Sequence, residues 1–187
     1  MSNLKQKNIL ILSTNGFQKD ELFEPLNYFK EKGAHVKLAS PSLDEISAGE
    51  GDDQRVSPDM TLADVKVSDY DALILPGGLA NPDSLRQNEE AITLVRDFAE
   101  DGKTIGAICH APWLLAEAGL TVGREMTSSP SIRTDIENAG AKWMDSEVVC
   151  DNAIVTSRKP ADLPAFCAKL EKEILEGRHD RDIKQAA

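Results

Sequence analysis

The stretch Lys103 to Leu120, KTIGAICHAPWLLAEAGL, sets the terms on which this chain folds. Thr104 to Ile108 is a short apolar run that reads as a buried strand. Cys109 and His110 follow directly, and Trp113, Leu114 and Leu115 continue in helical spacing to Gly119. A strand that passes straight into a helix puts its turn residue at the carboxyl end of a sheet, beside a helix N-terminus. Open α/β sheets bind ligands at that edge. Free N–H groups and the helix dipole stabilise negative charge there. A cysteine in that place ionises more readily, and the thiolate is the reactive form. Cys109 is thus a candidate nucleophile on an elbow. The competing reading is a small buried hydrophobe, the common state of a free cysteine. The turn position, with His110 alongside, tips the balance towards function.

The rest of the chain repeats the strand–helix rhythm. Asn8–Ser13 is a short Ile/Leu-rich strand, and the helix after it carries Leu22, Leu26 and Phe29 on one face before Gly33 closes it. Glu21 opens this helix. A first-turn acid complements the dipole, which is its ordinary role; its functional role would be to reach across the sheet edge to Cys109. His35–Ser40 reads as a second strand. Leu43–Ser57 reads as a surface excursion or short hairpin, and Leu62–Val67 as a weak amphipathic segment.

Tyr70–Leu75 is a third buried strand running into Pro76, Gly77 and Gly78. Glycines there let N–H groups approach a ligand, although a plain Pro-Gly turn uses the same residues. A helix start at Pro82–Arg86 and an amphipathic helix at Glu89–Glu100 come next, then the Cys109 strand. Beyond it the pattern predicts a helix over Ile132–Asn138 and strands at Glu147–Cys150 and Ile154–Ser157. An Asp151-Asn152 turn joins those strands, and a long helix spans Ala161–Leu175. Cys150 and Cys167 then fall to strand and helix packing. Gly177–Ala187 reads as a mobile polar tail. The βαβ order predicts a mostly parallel sheet with helices on both faces, in a single domain over residues 1–187.

The chain of 187 residues carries a formal charge of −11, with acids spread along its length. That gives no basic footprint for nucleic acid. No apolar run is long enough to span a membrane, and the first apolar segment reads as a strand rather than a signal peptide. Three cysteines, without metal-ligand spacing or a disulfide framework, point to a reducing cytoplasmic setting. No metal or cofactor is implied.

LILPGG, then AICHAPWLLAEAG, then TSSPSIRTDIENAGAKW, then SRKPADLPAF together resemble the ThiJ/PfpI family, on its PfpI-type intracellular protease branch. Its superfamily includes the Parkinson-associated deglycase and the class I glutamine amidotransferases. The likeness runs from about Asn8 to Leu175. It implies a flavodoxin-like three-layer α/β/α sandwich with a nucleophile elbow, assembled as a homodimer or higher oligomer. The family nucleophile matches Cys109, and its helix acid, four residues before a proline, matches Glu21. The histidine matches His110. The acid that orients it, sometimes from a neighbouring subunit, matches Asp83. Backbone N–H groups near Gly77 and Gly78 and at His110 match the oxyanion donors. The sequence departs from the pattern at Ala111, Ser129 and Gln18.

The resemblance implies a stress-related cysteine-dependent hydrolase. Its substrates would be glyoxal or methylglyoxal adducts, as a deglycase or a cofactor-independent glyoxalase-like enzyme on a small carbonyl or a glycated protein or peptide. Two alternatives stand beside this: an intracellular cysteine peptidase, and a non-enzymatic redox sensor or chaperone. A glutamine amidotransferase would need a catalytic histidine far downstream of the cysteine, and none lies between His110 and His179.

Overall fold

The computed structural model describes residues 4–49 and 51–180. Its centre is a seven-stranded sheet. The strands are β1 (Asn8–Leu12), β2 (His35–Ser40), β3 (Met60–Thr61), β4 (Ala72–Leu75), β5 (Thr104–Ile108), β6 (Val149–Asp151) and β7 (Ile154–Ser157). Their order across the sheet is β6-β7-β5-β4-β1-β2-β3. Every neighbouring pair is parallel except β6 with β7. The fold is thus flavodoxin-like: a mostly parallel sheet between two helical layers.

Strand alternation builds those layers. Leu10 and Leu12 of β1 face the cluster that holds α3 (Glu89–Glu100) and α4 (Pro112–Glu117). Ile9 and Ile11 face the opposite cluster, with α1 (Lys19–Glu31) and α6 (Leu163–Glu176). Two-sided burial explains why the central strands are apolar without interruption. Fully burying a side chain such as Phe98 or Phe166, both 0% exposed, contributes roughly 1.5–3 kcal/mol. Side chains cap two of the helices, Gln18 accepting the Glu21 N–H in α1 and Asn88 the Ala91 N–H in α3.

Several boundaries differ from the sequence reading. Leu62–Val67 holds not one amphipathic segment but a 3₁₀ turn, Leu62–Asp64, with a second following at Val67–Asp69. The helix placed at Pro82 starts two residues earlier, as α2 (Ala80–Leu85). The helix placed at Ile132 opens as a 3₁₀ turn, Pro130–Ile132, and continues as α5 (Arg133–Asn138). β6 starts later than expected because Val149 pairs with Thr156, which moves the tight turn to Asn152 and Ala153, both with positive φ. The start of the polar tail is fastened: His179 N–H donates to the Gly102 carbonyl (2.8 Å) and the Asn152 amide to the Asp180 carbonyl (3.0 Å). The rest of that segment, 181–187, lies outside the described residues. No described helix is long and apolar enough to cross a membrane.

The chain runs from β1 outward to β2 and β3, then returns to β4 on the other side of β1. The loops that leave β1 and β4 therefore part at the carboxyl edge. A crevice opens at such a reversal of strand order.

Candidate active site

Cys109 is the first residue after β5 and has φ of 64°. A non-glycine residue in this region is strained by about 1–3 kcal/mol and persists only where its surroundings enforce it. Here its N–H donates to the Ser157 carbonyl (3.0 Å) and its carbonyl accepts the Ser129 N–H (2.8 Å). Both peptide groups are thus tied to neighbouring segments, and the side chain is turned out of the strand. Pro112 at the start of α4 fits an N-terminal position that needs no N–H donor.

Glu21 sits in the first turn of α1 and is 0% exposed. Its Oε2 accepts the Gly77 N–H at 2.9 Å. A side chain at Gly77 would put its Cβ 2.4 Å from Glu21 Oε2 and 2.6 Å from Cys109 Cβ, so only glycine lets the three groups meet. Asn81, absent from the sequence reading, holds this loop. It too is 0% exposed. Its amide donates to the carbonyls of Pro76 (2.9 Å) and Gly77 (3.0 Å), and its Oδ1 accepts the Thr14 N–H (2.7 Å). A buried polar residue with every group partnered rigidifies what it touches. Here it joins the loops after β1 and β4.

His110 turns back on Cys109. Its Nδ1 lies 3.1 Å from Cys109 Sγ, and its Nε2 lies 3.1 Å from Ser131 Oγ. Its ring packs edge-on against Trp113, centroid to centroid 5.2 Å. The Trp113 indole N–H donates to Asp135 (2.9 Å), and the Arg86 guanidinium stacks on the same ring. Asp83 lies exposed in the first turn of α2. Within one chain, both His110 nitrogens thus face groups other than Asp83.

The electrostatics are those of a desolvated site. Burial pushes the Glu21 carboxyl up to about 8, against the pull of the Gly77 N–H and the Cys109 thiol. At neutral pH Glu21 therefore keeps its proton. Its other oxygen, Oε1, is buried without a partner in hydrogen-bond geometry. Burial likewise pushes the Cys109 thiol up to about 12, and charge on Glu21 adds to this; the N–H groups of Gly78 and His110 oppose it. The readily ionised thiol expected from the elbow is not found. Loss of hydration outweighs two N–H groups and a short helix. Burial also lowers the His110 value, so its imidazole is neutral at pH 7. A neutral thiol therefore faces a neutral base and a protonated acid.

A groove of about 660 Å³ opens beside this centre and shares Gln18 and Gly78 with it. Among the described residues, one group of three could hold a metal ion: Glu173, Glu176 and His179, at the end of α6. Lys169 already neutralises Glu173 at 2.6 Å, and none of these residues belongs to the Cys109 centre.

Residues 7–173 match the model of the DJ-1/PfpI family. An uncharacterised protein of Archaeoglobus fulgidus is 49% identical over 164 residues, covering 88% of this chain and 96% of that one. A deglycase of Thermococcus kodakarensis is 43% identical, covering 88% and 97%. The crystal structure of Drosophila melanogaster DJ-1beta superposes with a TM-score of 0.84 at 29% identity, covering 91% of each chain. With a family model matched along most of its length and relatives this similar, the chain belongs to the DJ-1/PfpI family.

Proposed function

We propose that this protein is a thiol-dependent hydrolase that removes methylglyoxal or glyoxal from glycated amines and thiols. One observation carries the reading: a fully buried Glu21 carboxyl lies beside the thiol of Cys109, which is held on a strained elbow. The name of the Thermococcus relative supports the substrate class.

Cys109 Sγ forms a bond to the former aldehyde carbon of the adduct as that carbon's bond to the amine or thiol breaks, and the Cys109 proton passes by way of His110 Nδ1 to the departing group. The Gly78 and His110 N–H groups, which face the sulfur, are placed to receive the developing oxyanion. Glu21 supplies a proton to it or recovers one later, a role that suits a group poised near neutrality. A proton then moves from the sulfur-bound carbon to the neighbouring ketone carbon through an enediol, which turns the hemithioacetal into a lactoyl thioester, and water cleaves the C–S bond to give lactate and the free thiol. The aldehyde carbon is oxidised and the ketone carbon reduced, so no external oxidant is needed.

The test is release of free amine and lactate from a methylglyoxal-glycated peptide by wild type, Cys109→Ser and Glu21→Gln. Turnover that disappears in Cys109→Ser supports the reading, and turnover that survives there ends it.

A peptidase reading draws on the 3.1 Å contact between Cys109 Sγ and His110 Nδ1, the pair that a cysteine peptidase needs. Cys109-dependent cleavage of an unmodified peptide would favour it. The redox-sensor reading needs a thiol more readily oxidised than Cys150 and Cys167, and mass mapping after mild peroxide tests it. Assembly into a homodimer or higher oligomer and a cytoplasmic location remain part of the proposal.

A further inference from the structure

We infer that Ser131 is the positioning residue for His110, taking within one chain the place that an acid would hold in a Cys–His–acid arrangement. The inference rests on the proposed function, in which His110 takes the Cys109 proton.

The geometry is a continuous line of polar atoms. Cys109 Sγ lies 3.1 Å from His110 Nδ1, and His110 Nε2 lies 3.1 Å from Ser131 Oγ. Ser131 Oγ in turn lies 3.0 Å from Ser129 Oγ. A neutral imidazole carries one N–H and one lone pair. When the Nε2–H donates to Ser131 Oγ, the Nδ1 lone pair is left facing the thiol. The Ser131 hydroxyl then donates to Ser129 Oγ, so each group in the line has a partner. When the thiol proton moves to Nδ1, the Nε2–H stays where it is and Ser131 remains neutral.

The loop that bears Ser131 is fastened at three points before it reaches His110. The Thr127 N–H donates to Thr156 Oγ1 (2.9 Å), Ser128 Oγ accepts the Trp143 indole N–H (3.0 Å), and the Ser129 N–H donates to the Cys109 carbonyl (2.8 Å). The last of these ties the loop to the elbow itself, so Ser131 and the thiol are held in one frame. A hydroxyl orients the ring without adding negative charge. That agrees with an imidazole left below its ordinary value, where a carboxylate would raise it.

Ser131 is exposed, so its substitution leaves the core intact. The test follows Cys109 alkylation by iodoacetamide, read by peptide mass mapping, with Cys150 as the control in the same sample. This readout needs no turnover, so it stands even if the deglycase reading fails. Ser131→Ala should slow Cys109 alkylation about tenfold, well within the range of one general base, and leave Cys150 unchanged. It should also flatten the fall in rate that protonation of His110 imposes at acid pH, below the ordinary imidazole range. Ser131→Thr, which keeps the hydroxyl, should restore the rate to within about twofold. Asp83→Asn should have no effect. A wild-type rate and profile in Ser131→Ala would overturn the inference. So would a loss in Asp83→Asn matched by none in Ser131→Ala, which would assign the role to an acid from another subunit.

Discussion

Cys109 and Cys167 are both shielded thiols, in opposite surroundings. Burial pushes both thiols up to about 12. Cys167 lies on α6, packed among Phe166, Leu170 and the strands beneath, with the Glu24 charge its other influence. Cys109 lies on a backbone strained to φ 64°, with His110 Nδ1 at 3.1 Å and a protonated Glu21 beside it. The two differ in the groups placed to move a proton: Cys109 has an imidazole nitrogen and a buried carboxyl at hand, and Cys167 lies among apolar side chains.

The strongest way to break this comparison is to remove each thiol in turn. Cys109→Ser should lower turnover of a glycated peptide at least about 10³-fold, as loss of a covalent nucleophile does. Cys167→Ser should keep it within about twofold at a temperature where the variant is folded, because Cys167 serves packing alone. Equal losses in the two would dissolve the distinction. Removing the base comes next: His110→Ala should cost about 10²-fold in kcat, with an unchanged circular dichroism spectrum.

Gly77→Ala probes the closeness of Glu21 and Cys109. Its Cβ would fall 2.4 Å from Glu21 Oε2, so the loop must move. Turnover should drop roughly tenfold to a hundredfold, on the scale of an active group displaced by an ångström, and the melting temperature should fall as well.

The smallest effect is on stability. The folded value of Glu21, about 8, stands above the unfolded value near 4.3. Its stabilising contribution is therefore full below about pH 4.3 and is lost as pH rises through about 8. Glu21→Gln cannot ionise and escapes this loss. Relative to wild type it should gain on the order of 2 kcal/mol between pH 4 and pH 6, seen as a melting-temperature difference that widens as pH rises.

The sequence alone revealed the parts of the molecule that repeat or alternate. Uninterrupted apolar runs such as ILIL and ALIL marked the central strands, and the abrupt change from TIGAI to a helical pattern placed Cys109 at an edge. Glu21 and His110 stood out beside the elbow, but a first-turn acid and a residue next to cysteine have ordinary uses, and their roles came through family likeness. Asn81 and Ser131 were missed for a physical reason. Both act through hydrogen bonds to segments distant in sequence, and neither lies in a periodic pattern. An Asn-Pro pair after PGG was the one local hint of Asn81. The two-residue strand β3 was hidden likewise, because it exists through its pairing with Ala39 and Ser40. The high thiol value could not be foreseen, since helix position was visible in the sequence and desolvation was not.

The most direct measurement traps the covalent step. Wild-type protein is mixed with a methylglyoxal-glycated peptide, quenched in acid within the first turnover, digested and mapped by mass. An adduct is expected on Cys109, none on Cys150 or Cys167, and none in Cys109→Ser. Amine release at the full rate with Cys109 unmodified, or an equal adduct on Cys167, would contradict it.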